Sequence, residues 1–119
     1  MVRWINFYRG MAQTTEQDVY VLNTNIWPYV AVRTINMANY SSTGATVKVW
    51  IMPNDFNYPT EQYLIIPGWY LPPKNAVTGD ASVAQWTGFE VMSTKGDKIV
   101  VQASQLDAIA ISINGGGSK

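Results

Sequence analysis

Apolar side chains recur at every second residue through this chain, in short runs cut by turn residues. In YVAVRTINMANYSSTGATVKVWIM, residues 29–52, Val30 and Val32 alternate, then Ile35 and Met37, then Val47, Val49 and Ile51 beyond the polar SSTG at 41–44. A period of two lines one face of a strand; a helix needs apolar positions at i, i+3, i+4 and i+7, and no run sustains that over three turns. The chain is therefore expected to be all-β. Val30 and Val32 fall out of phase with Ile35 and Met37, and a bulge near Arg33 and Thr34 would restore a common inner face.

The same alternation marks further strands at 18–23, 63–73 (broken at Pro67 and Gly68), 86–92, 98–104 and 108–114, where Ile109, Ile111 and Ile113 point inward. Residues 52–62 and 75–85 are expected as a loop and a small polar excursion. About seven strands with short antiparallel connections give a single antiparallel β-sandwich, Ig-like or jelly-roll-like. The sandwich is expected over residues 18–114, with an N-terminal arm or leading strand at 1–17 and the GGGSK end, 115–119, as a flexible tail.

A chain of 119 residues, 47% of them hydrophobic, forms one domain with a real core. Eight basic residues balance eight acidic ones and only 13% of residues are charged, with the basic ones scattered singly. That argues against nucleic acid as a partner. No apolar run approaches the ~20 residues of a membrane-spanning helix, and MVRWINFYRGMAQ lacks a signal peptide's apolar stretch, so a protein made in the cytoplasm is expected, with no membrane partner. Without histidine or cysteine, the usual triads, zinc sites and disulfides are absent, and neither a cofactor nor a metal is expected.

The carboxylates Asp55 and Glu61 share an aromatic-bearing loop as a glycosidase pair would, but solvated loop charges explain them better, because such a pair needs a deep cleft. Asn54, Asp55 and Asn57 offer oxygens at alternate spacing without a full calcium-ligand series, so turn capping is the better account. No enzyme is expected.

Five Trp, seven Tyr and three Phe against so few charges is the composition of buried protein contacts. Trp4, Phe7 and Tyr8 lie in the N-terminal segment, Trp50 on the outward phase of its strand, Phe56 and Tyr58 in a loop, and Trp69 and Tyr70 in a kinked segment. These eight are the candidate interface residues. The N-terminal segment is apolar on both phases, which suits strand addition to a neighbour or a first strand of the domain itself. The competing reading takes the loop rings as a platform for sugars, with Asn54, Asp55, Asn57 and Gln62 converging on hydroxyls.

The order of these pieces resembles a broad group of small tailed-phage virion proteins. The likeness runs through Val19, Tyr20 and Val21; Val32, Ile35, Met37 and Asn39; Ala45, Thr46, Val47, Val49 and Pro53; Gly68, Leu71 and Pro72; and GDKIVVQAS from Gly96 to Ser104, ending in the ladder Ile109, Ile111, Ile113 and Gly115. It covers most of residues 18–115 and brings no catalytic motif. The resemblance implies a virion structural subunit, a capsid decoration or cement protein or a neck or tail-fibre-associated one, whose partners are a major capsid or neck or tail protein and its own copies, a trimer first. A receptor- or carbohydrate-binding module of a tail or fibre, with glycan as ligand, is the alternative it leaves.

Overall fold

The computed structural model describes residues 2–54 and 59–118, and among them the alternating runs form eight strands. These are β1 (Val2–Met11), β2 (Gln17–Val21), β3 (Tyr29–Asn39), β4 (Ala45–Met52), β5 (Leu64–Leu71), β6 (Ser82–Met92), β7 (Lys98–Ala103) and β8 (Ile109–Ser118). One 3₁₀ turn, Glu61–Tyr63, precedes β5. All pairings are antiparallel, in a first sheet ordered β1-β8-β3-β6 and a second ordered β2-β7-β4-β5. The two pack as a sandwich. Its core is the side chains that the alternation placed inward: Val32, Ile35, Met37, Ile111 and Ile113 from the first sheet against Val47, Val49, Ile66, Ile99 and Val101 from the second.

The count exceeds the expected seven because the N-terminal segment is a strand of the domain, β1, paired along its length with β8. β6 also begins earlier than expected, at Ser82. The broken segment at 63–73 is one strand. Its register against β4 skips Gly68, whose φ of 101° only glycine adopts freely, so the bulge keeps β5 continuous on an edge where Pro67 is tolerated.

The phase conflict in β3 is resolved where the sequence placed it. Pairing with both neighbours shifts between Val32 and Thr34, and Val30, Val32, Ile35 and Met37 are all buried. A second bulge stands on the other side of β8: Asn6 pairs with Asn114 and Tyr8 with Ile113, leaving Phe7 extra. Bulges thus flank Asn114 on both sides, and a line of irregular pairing crosses the first sheet there, ending at Gly88 and Phe89 of β6.

The GGG run corrects the expectation of a flexible tail. β8 continues to Ser118, with Gly115 and Gly117 buried on the same inward phase as the isoleucines. The reason is space. A Cβ on Gly115 would strike the Ala31 carbonyl oxygen and stand 2.9 Å from Phe7 Cε2, and one on Gly117 would stand 2.6 Å from both Ile5 Cδ1 and Trp27 Cε3. Glycine admits these rings beneath the strand.

Two clamps hold the ends of the sandwich. Asn39 is fully buried; its Nδ2 donates to the carbonyls of Thr43 (2.9 Å), Leu71 (3.1 Å) and Pro72 (3.1 Å), and its Oδ1 accepts from Ser41 N and Oγ, both at 2.9 Å. At the opposite turn the Asp97 carboxylate accepts backbone N–H groups of Asn54 (3.2 Å), Ser93 (3.3 Å) and Thr94 (3.0 Å). Gly96 beside it takes a φ of 92°. The punctuation residues of the phage resemblance, Asn39, Leu71, Pro72, Gly96 and Asp97, are therefore scaffold residues.

Candidate interaction surface

The six aromatic candidates among the described residues do not come together. Phe7 is corrected to core: it shares the inward phase of Ile5, beneath Gly115, at 6% exposure and edge-on to Tyr20 with centroids 4.9 Å apart. Burial pushes the Tyr20 hydroxyl above its ordinary pKa of 10.0. Tyr8 also packs against the core, since a bulge lets two successive side chains face the same side, and its hydroxyl donates to the Met11 carbonyl at 3.4 Å. Trp50, expected free on the outer phase of β4, is 6% exposed. It forms a satellite cluster with Met52 and Val100, covered by Tyr63 and Leu64 where the 3₁₀ turn enters β5.

Trp69 and Tyr70 are exposed on β5, an edge of the second sheet, where the Tyr70 ring lies against Gly44. Phe56 and Tyr58, and with them Asp55 and Asn57 of the carboxylate and calcium readings, lie outside the described residues. Asn54 is engaged in the clamp, its Nδ2 donating to the Lys95 carbonyl at 2.8 Å.

Trp4 alone of the N-terminal aromatics points outward, at 90% exposure, and it has company the sequence reading missed. Register places Trp4 beside Gly116, Gly116 beside Ala31, and Ala31 beside Val91, a row across the whole outer face of the first sheet. Small residues stand in the middle of this row and large ones at its rims. Tyr29 and Phe89 extend it, and together they line an open hollow of about 330 Å3. Phe89 is 62% exposed and carries the Arg33 guanidinium over its ring at 5.3 Å, while Arg33 Nε donates to the Gly88 carbonyl at 3.0 Å.

A second hollow of about 660 Å3 lies further along the same sheet, around Met11, Ala38, Ala110 and Val83. A polar band separates the two. Asn6 Nδ2 donates to Asn114 Oδ1 at 2.8 Å, Asn114 Nδ2 to Ser112 Oγ at 3.1 Å, and Gln85 Nε2 to Asn36 Oδ1 at 2.8 Å. Each of these side chains is tied to a neighbour in the band, and Asn36, Gln85 and Ser112 also form the near wall of the second hollow. The arrangement suits an apolar, nearly uncharged partner surface. The missed residues had a signal: in SVAQWTGFEVM both phases carry large apolar residues, Val83, Phe89 and Val91 on one and Trp86 on the other, and a half-buried strand can hide only one.

No protein-family model matches the chain, and no curated protein matches it. Among solved structures it is similar to one described as Bacillus endospore appendages that form a novel family of disulfide-linked pili. The TM-score is 0.48 at 9% identity, over 98% of this chain and 84% of that one.

Proposed function

We propose that the protein is a non-enzymatic structural subunit of a tailed-phage virion, a capsid decoration or cement protein that binds other virion proteins through the outer face of its first sheet. The virion assignment rests on the sequence resemblance. The mode of action rests on one observation: Trp4, Tyr29, Phe89 and Val91 surround an uncovered apolar hollow on a rigid four-stranded sheet. Exposed apolar surface rimmed by polar groups is what a docking site offers, and repetition over a lattice makes individually weak contacts durable. A net charge of zero leaves recognition to shape and apolar contact.

The test is quantitative mass spectrometry of density-banded phage particles from cells expressing either the native chain or the double variant Trp4→Glu, Phe89→Glu. Native chain is expected in many copies per particle and the variant in few. Native chain missing from clean particles contradicts the proposal.

A glycan-binding module is favoured by a different observation. The side of the sandwich between β5 and β6 holds a hollow of about 540 Å3 where Tyr63 and Trp86 meet Gln62 and Glu90, rings beside polar groups as sugar recognition requires. Binding of the isolated protein to a glycan array, lost in Trp86→Ala, would favour this reading; a flat array removes it.

A further inference from the structure

We infer that two copies of this chain pair through their β6 strands, antiparallel about a two-fold axis at Thr87, joining two four-stranded first sheets into one continuous sheet. The inference concerns a self-contact and stands whether or not the partner of the apolar hollow is a virion protein.

The sandwich has four edge strands, β1 and β6 in the first sheet and β2 and β5 in the second. An edge presents unpaired N–H and C=O groups, and proteins that stay apart blunt them with prolines, charges, bulges or shortness. Three of the four are blunted. β5 carries Pro67 and the left-handed Gly68; β2 is five residues long with Asp18 and a register shift at Val19; β1 carries Arg3, Arg9 and the Phe7 bulge. β6 is different. It is eleven residues long, contains no proline, lysine or arginine, and has one charge, Glu90. Among the described residues its backbone is paired with β3 alone. Its irregularity spans Gly88 and Phe89 and is occupied on the β3 side by Arg33, while exposed positions alternate without a break from Val83 to Val91.

The occupant that fits is a second β6. About an axis at Thr87, Val83 faces the partner's Val91, Gln85 faces the partner's Phe89, and Thr87 faces its own copy, so apolar and neutral groups meet on the outer face. On the other face Trp86 stands opposite the partner's Gly88, a large ring opposite a residue with no side chain. The space over Gly88 is filled by its own chain's Trp86, whose Cζ2 would lie 2.6 Å from a Cβ there, so each Trp86 ring lies along its own strand. Glu90 meets the partner's Ala84, whereas an axis moved toward Glu90 would bring two carboxylates together. Pairing also sets the Phe89 and Val91 rims of two hollows beside one shared strand pair, and closed two-fold contacts of this kind are the commonest route to a homo-oligomer.

Sedimentation equilibrium of the purified chain from about 1 μM to about 1 mM, the weak range of specific association, is expected to give a monomer–dimer equilibrium. Thr87→Lys, an exposed substitution that sets like charges opposite each other on the axis, should raise the dissociation constant about tenfold or more while leaving the unfolding midpoint in place. Val83→Lys with Val91→Lys should likewise give a folded monomer. Val83→Lys with Val91→Glu places opposite charges together twice and should restore a dimer that weakens as salt rises. A monomer at every concentration, a trimer or ring, or a dimer indifferent to these substitutions would overturn the pairing. None of those results would change the particle measurement that tests the virion role.

Discussion

The outer faces of the two sheets start from the same chemistry and end differently. Each has a tryptophan on the phase pointing away from the core, Trp50 on β4 and Trp4 on β1. Trp50 is roofed by Tyr63 and Leu64 of its own chain, and the pair makes a small second core outside the sandwich. Trp4 has the small Gly116 and Ala31 beside it in the sheet row and, among the described residues, no roof. An outward aromatic therefore says that something must cover it and not whether that cover is built into the chain. On the second sheet the cover is supplied within the fold; on the first, the account assigns it to a partner.

The sharpest way to break the comparison is to truncate both rings. Trp50→Ala should cost about 3–5 kcal/mol in denaturant unfolding, the usual loss for a buried large aromatic, whereas Trp4→Ala should stay within about 0.5 kcal/mol. Equal losses would mean that both faces are interior. Next in size is Asn39, which ties the end of β3 in the first sheet to the end of β5 in the second. Asn39→Leu strands the donors and acceptors it satisfies and should cost about 2–4 kcal/mol by the same measurement. An unchanged midpoint would show that the clamp is dispensable.

A smaller effect comes from Tyr20 in the first core. Burial raises its pKa above 10.0, so the folded state holds its proton more tightly than the unfolded chain does. Its contribution to stability is complete below about pH 10 and is lost as pH climbs from the unfolded value through the folded one. Tyr20→Phe should flatten that alkaline decline. A decline of the same steepness in the variant would assign it to other groups.

How much of this could be seen in the sequence follows the same division between local and distant causes. The alternation of Val47, Val49 and Ile51 and of Ile109, Ile111 and Ile113 is local, and it led directly to the two packed sheets. The β3 bulge was readable because its symptom, a change of phase between Val32 and Ile35, lies within four residues. The glycine run was misread because its reason is the Phe7 and Trp27 rings, which come from the other end of the chain. Trp50 was misplaced for the same reason, since its cover arrives from residues 63 and 64. Trp4 and Tyr8 share a phase in the sequence, and only the bulge opposite Asn114 sends Tyr8 inward and leaves Trp4 out. The apolar hollow itself is made by register, which brings β1, β8, β3 and β6 into one row, and register is not written in any single strand.

Hydroxyl-radical footprinting of Trp4 and Phe89, in the free chain and in purified phage particles, tests the central claim most directly. The account predicts strong labelling of both rings in the free chain and protection of both in the particle, with Trp50 protected throughout. Trp4 and Phe89 labelled as strongly in the particle as in solution would contradict it.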